Sequence, residues 1–246
     1  MKAIKKVIYT LNVNDYCPEI TAITYPLIED YAKKIDAEFV IIKERKFPDF
    51  PVVYEKLQIH ELGKDNDWNI YIDSDVLVNP DLFDFTPHLK KDTVLHYGND
   101  LAGNRWKYDQ YFLRDGRHIS SCNWFTIASD WCIDLWKPLD DMTLDKALQN
   151  INVVVPESIA DISPAHLIDD YVLSRNIAKY GLKFTTCKQI FEKLNPGFPG
   201  NDNYLYHEYL IATESKPHKL IDRLKKWGFS PWYENTALYA TRCCEL

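Results

Sequence analysis

Apolar positions in this chain fall in short runs, separated by polar turns and by stretches with helical spacing. Residues 5–10 are apolar and rich in β-formers, which predicts a first strand. Asn12, Val13, Asn14 and Asp15 supply turn chemistry, and Pro18 and Pro26 read as helix starts. Leu27, Tyr31 and Ile35 then repeat at helical spacing, and residues 38–42 predict a short buried strand. Residues 47–51 read as a loop, and residues 53–62 as a helix stopped by Gly63. Residues 68–72 form a further apolar run, and residues 93–97 predict another strand. Residues 98–117 are polar, aromatic and charged with no clean period, as in a substrate-facing excursion. Residues 119–129 are strand-like. Residues 165–180 predict a helix started by Ser163-Pro164 and stopped by Gly181. Residues 204–211 alternate like a strand, and residues 217–227 predict a last helix ended by Gly228.

Strand and helix in this rhythm imply an α/β fold, a mostly parallel sheet with helices on its faces. Ligands of such sheets gather at the C-terminal strand ends. Two polar stretches fall there, Thr10-Leu11-Asn12 and Asp73-Ser74-Asp75. No internal repeat or linker interrupts the 246 residues, so one domain is the economical reading.

Hydrophobic residues make up 46% and charged residues 26%, ordinary for a globular protein. A net charge of -7 argues against nucleic acid held on a broad basic surface. A phosphorylated ligand then needs a metal and a few local cations. The six cysteines include no Cys-x-x-Cys pair, which suits reduced thiols in a reducing compartment. The chain runs at once into a strand without a secretory signal, and no run approaches the ~20 apolar residues of a membrane helix. A cytoplasmic location is the expectation.

Along a strand, Asp73 and Asp75 would leave the backbone on one side with Ser74 opposite. Two neighbouring carboxylates repel one another and are costly to desolvate unless a cation sits between them. Mg²⁺ or Mn²⁺ is the usual answer, since both take oxygen ligands shared with substrate phosphates. A solvated turn or a helix cap would account for the same three residues without chemistry.

The longer run from Trp68 to Val78, an apolar strand, Asp-x-Asp, then an apolar continuation reaching Asn79-Pro80, resembles the metal-binding strand end of GT-A glycosyltransferases, particularly family 8. Residues 7–12 resemble the first strand of that fold, and residues 54–58 the helix preceding the metal strand. The resemblance implies a GT-A-like mixed sheet, with a Rossmann-like nucleotide-sugar-binding half (residues 1–100) and an acceptor-side half (residues 101–246). It implies transfer of a sugar from a nucleotide-diphosphate donor, such as a UDP-sugar, to a hydroxyl acceptor on a glycan, protein or lipid-linked sugar. It further implies Asp73, Asp75 and a late histidine as metal ligands, for which His207 is the candidate and His218 the rival; a surface histidine with no ligand role fits equally. Thr10, Leu11, Asn12, Ser74, Asn123 and Lys216 would meet the donor. The strand carrying Ser121-Cys122-Asn123 lacks the glycine often found in Asn-x-Gly there. Asp170, then Asp169, would serve near the acceptor, although acidic residues at a helix start also suit the helix dipole. Lys56 would meet the nucleotide or a site carboxylate, although most lysines are solvated.

Two other readings compete. A metal-dependent nucleotidyltransferase usually shows a glycine-rich loop after its first strand, and residues 10–17 have no glycine. A silent glycan-binding or scaffold protein on the same fold has no need of an intact Asp73 and Asp75.

Overall fold

A computed structural model describes residues 3–79, 82–97, 124–151, 164–194 and, for the backbone, 210–212. Six strands form the main sheet: β1 (Lys6–Leu11), β2 (Glu38–Ile42), β3 (Trp68–Ile72), β5 (Thr93–His96), β6 (Phe125–Ser129) and β7 (Lys183–Thr186). Their spatial order is β2-β1-β3-β6-β5-β7. β1 pairs in parallel with both β2 and β3, and β5 with β7. β6 is antiparallel to both its neighbours, β3 and β5. Five strands therefore run one way and β6 alone runs the other. The strand–helix rhythm predicts a mostly parallel sheet, and the reversed β6 makes it the mixed sheet that the family resemblance implies.

Each face carries its own core. On β1, Val7, Tyr9 and Leu11 enter one apolar cluster and Ile8 the other, as the two-residue period requires. Helix α1 (Pro18–Lys34) covers one face with Ile28, Tyr31 and Ala32. Pro18 starts this helix, but Pro26 lies inside it instead of starting a second one. A proline there removes the hydrogen bond to the carbonyl four residues back, at Ala22, a residue open to water. The opposite face is covered by helix α4 (Ile168–Tyr180), with Ile168, Tyr171, Val172 and Ile177 inward. The helix predicted over 53–62 is a 3-10 turn, Val52–Gln58, followed by the short α2 (Ile59–Leu62). Gly63 ends it, yet with φ -98° instead of the left-handed value. Helices α3 (Leu144–Asn150) and α5 (Cys187–Leu194) complete the layers.

Strand β4 (Val76–Val78) lies outside the main sheet and pairs antiparallel with β8 (Leu210–Ala212). Only the last part of the alternation read over 204–211 falls on described residues. The final helix expected at 217–227 lies outside them. Cys132 and Cys187 are buried free thiols. Among the described residues no helix is long and apolar enough to cross a membrane.

Candidate functional site

β1 and β3 run side by side and in parallel, so their C-terminal ends open on the same edge of the sheet. A cavity of about 620 Å³ lies there, within the usual size for a small-molecule site. Its wall includes Leu11 and Val13 from the end of β1, Lys56 from the 3-10 turn, Asp73, Ser74 and Asp75 after β3, and Asp169 and Asp170 from α4.

Asp73, Ser74 and Asp75 form a turn, not a continued strand, because the Val76 amide donates to the Asp73 carbonyl at 3.1 Å. The alternation expected to put both carboxylates on one side does not apply. The turn itself brings both to the cavity. It is anchored twice. The Asp73 amide donates to the Trp124 carbonyl at 2.9 Å, which the reversed direction of β6 makes possible by starting that strand beside the end of β3. The Thr24 hydroxyl of α1 donates to the Ser74 carbonyl at 2.5 Å.

Lys56 sits among the acids. Its side chain is only 3% exposed, against the solvated position usual for lysine, and its ammonium is 2.5 Å from Asp169 Oδ2 and 3.5 Å from Asp73 Oδ1. The same ammonium lies 4.5 Å from the centre of the Tyr71 ring. The Tyr71 hydroxyl donates to Asp73 Oδ1 at 2.5 Å. Burial works against the charge on Lys56, but Asp169 and then Asp73 outweigh it and hold its pKa well above the ordinary lysine value. Burial, with Asp73 beside it, pushes the Tyr71 hydroxyl well above the ordinary tyrosine value, so it stays a proton donor. Asp169 and Asp170 occupy the first turn of α4, where the helix dipole also favours them.

Four carboxylates thus line the described wall, with Lys56 as its lysine. That imbalance suits a hard divalent cation, which commonly takes one or two carboxylates and completes its shell with water and substrate phosphate. Both contacts to Asp73 fall on Oδ1, which leaves Oδ2 without a hydrogen bond from the described residues. Asp73 and Asp75 therefore fit a metal by donor type. Among the described residues no group of three His, Cys, Asp or Glu side chains gathers into a full ligand set.

Thr10 and Asn12 are buried but stand apart from the cavity wall. Alternation along β1 turns them away from the side that Tyr9 and Leu11 face. Thr10 Oγ1 and Asn12 Oδ1 find no hydrogen-bond partner among the described residues. Asn123, His207, His218 and Lys216 lie outside the described residues. Sequence reasoning passed over Val13, Asn14, Tyr16, Trp124 and His166, all on the wall. One signal was available, because Asn14 and Asp15 tolerate the left-handed backbone they adopt, with φ of 61° and 50°. Cys17 shares it at 42°, so strain brackets the half-exposed Tyr16 at the mouth of the cavity.

No family model matches the chain, and no curated protein matches it in sequence. Solved structures with a similar course include a glycosyltransferase involved in glycosylation of the major capsid of PBCV-1, at 12% identity and TM-score 0.44, over 74% of this chain and 80% of that one. The galactosyltransferase LgtC, solved with donor and acceptor sugar analogues, aligns at 12% identity and TM-score 0.42, over 74% of each chain. A Drosophila β-1,4-galactosyltransferase 7 mutant, in complex with manganese, UDP-Gal and xylobiose, aligns at 12% identity and TM-score 0.43, over 88% of this chain and 74% of that one.

Proposed function

We propose that this protein is a metal-dependent glycosyltransferase that moves a sugar from a nucleotide-diphosphate donor, a UDP-sugar in the first instance, to a hydroxyl acceptor. The observation that carries the reading is the cavity at the C-terminal ends of β1 and β3, whose described wall carries Asp73, Asp75, Asp169 and Asp170 together with Lys56. An apolar flank of Leu11, Val13 and Val53 beside this acidic floor suits a ligand with a ring at one end and phosphates at the other.

Asp73 and Asp75 would hold Mn²⁺ or Mg²⁺, with His207 the proposed third ligand. A cation there supplies charge neutralisation for the leaving diphosphate. The chain's own residues do the rest. The Asp-Ser-Asp turn, pinned by Thr24 and Trp124, keeps both carboxylates fixed. Tyr16 at the cavity mouth offers an aromatic face to the base. Asp170, on the cavity wall, would orient the attacking hydroxyl or accept its proton.

Calorimetric titration of UDP tests this. Binding in Mn²⁺ should weaken at least ~10-fold in EDTA and in Asp75→Ala, the loss that follows from removing one metal ligand. UDP binding that ignores both changes would remove the metal from the site. Absence of UDP binding in every condition would sink the donor assignment.

A further inference from the structure

We propose that Lys56 is a resident counter-ion: its ammonium holds Asp169 and Asp73 in register before any ligand arrives and competes with a divalent cation for Asp73. The second half rests on the metal reading above. At 3% exposure the ammonium has almost no water to turn to, so its partners are the carboxylates it touches. Those carboxylates come from two different elements, the turn after β3 and the first turn of α4. One lysine therefore ties the two sides of the cavity together at 2.5 and 3.5 Å.

Its position is enforced from both sides. Tyr54 and Leu57, its near neighbours on the 3-10 turn, are fully buried in the core. Glu55, also fully buried, accepts from Arg45, Gln58 and the amides of Lys46 and Phe47, which locks the turn onto the preceding loop. The Tyr71 ring closes the remaining side. Lys56 approaches Asp73 on Oδ1, the oxygen Tyr71 also uses, so a cation on Oδ2 would compete with it for the charge of one carboxylate and not for the same oxygen. Its charge is divided between Asp169 and Asp73. Whatever strengthens its hold on one carboxylate loosens it on the other. Lys56 acts here as a positioning residue and need not touch the donor.

The test is Mn²⁺ affinity without nucleotide, read from the electron paramagnetic resonance of free Mn²⁺, with circular dichroism to confirm folding. Lys56→Met removes the competing charge and should bind Mn²⁺ at least ~5-fold more tightly than wild type. Asp169→Asn throws the whole charge of Lys56 onto Asp73 and should bind it at least ~5-fold more weakly. A lysine that served only as a phosphate ligand would change UDP affinity and leave Mn²⁺ alone untouched. A merely structural lysine would weaken every ligand. Folded Lys56→Met with unchanged or weaker Mn²⁺ affinity overturns the proposal. If that variant does not fold, Asp169→Asn with unchanged affinity overturns it. Wild-type Mn²⁺ binding that is lost in Asp75→Asn upholds the metal site whatever Lys56 does. No Mn²⁺ on wild type or on Lys56→Met overturns both.

Discussion

Glu55 and Lys56 are adjacent residues with opposite charges, and both are buried. One serves the loop before it and the other the cavity. Nothing in the hydrophobic pattern separates them from solvated helix residues, because their burial comes from partners distant in the chain. Glu55 gathers Arg45 at 2.9 Å and three further donors onto its two oxygens. Its replacement by alanine strands those donors, and urea denaturation should show a loss of about 3 kcal/mol. His96 is another case. It is fully buried in β5, and burial lowers its pKa from 6.5 to about 3. Its Nδ1 meets the Thr126 hydroxyl at 3.1 Å, while Nε2 finds no partner among the described residues. The unfolded chain takes up a proton near 6.5 and the folded one only near 3. The stability from keeping His96 neutral is therefore fully present above 6.5 and drains away as pH falls toward 3. The loss is up to about 1.4 kcal/mol per pH unit. Urea titrations at pH 7.5 and 5.5 should show a drop that His96→Gln reduces; an identical drop in that variant would assign it to other groups.

At the scale of elements, the strands were the most legible. β2 begins and ends where its apolar run does, and β1 and β5 differ from expectation by a residue or so. β1 and β3, buried on both faces, read as continuous apolar runs, which leaves little room for error; β2, expected to be buried, is an edge strand in which Ile42 alone is buried. The 3-10 turn at Val52–Gln58 was not legible, since its apolar spacing also suits an α-helix. The Asp-Ser-Asp turn was recognised as chemistry but misread as strand, because the hydrogen bond that folds it is made by the backbone. The two helix-ending glycines illustrate the same division. Gly181 has φ of 63° with open space around it, as a helix stop should. Gly63 is needed for room, since a Cβ there would lie 2.4 Å from the Asn69 carboxamide oxygen. Asn69 cannot readily yield, being held by Asn66 and by the Gly63 carbonyl. Thermal or urea unfolding should therefore show Gly63→Ala costing about 1–3 kcal/mol through overpacking. Gly181→Ala should cost about 1–2 kcal/mol through backbone strain alone.

For the whole molecule, the α/β class and the place of the cavity followed from the strand–helix rhythm, but the strand order did not. The sense of β6 depends on how the chain returns after β5, and residues 98–117 show no clean period from which to infer a path. The candidate site draws on residues as far apart in the chain as Leu11 and Asp170, so ligand binding and global stability should be linked. UDP with Mn²⁺ at 100 times its dissociation constant should raise the unfolding free energy by about 2.7 kcal/mol. EDTA or Asp75→Ala should abolish that gain in a denaturation experiment, while an undiminished gain would place UDP elsewhere. The pairing of β4 with β8 has a different consequence. β4 follows directly on the Asp-Ser-Asp turn, and its partner strand is Leu210–Ala212, far along the chain. A ribosome has therefore polymerised all six strands of the main sheet before it makes the strand that pairs with β4. During synthesis, the order of assembly leaves the acidic turn as the last part of the sheet edge to acquire its neighbour.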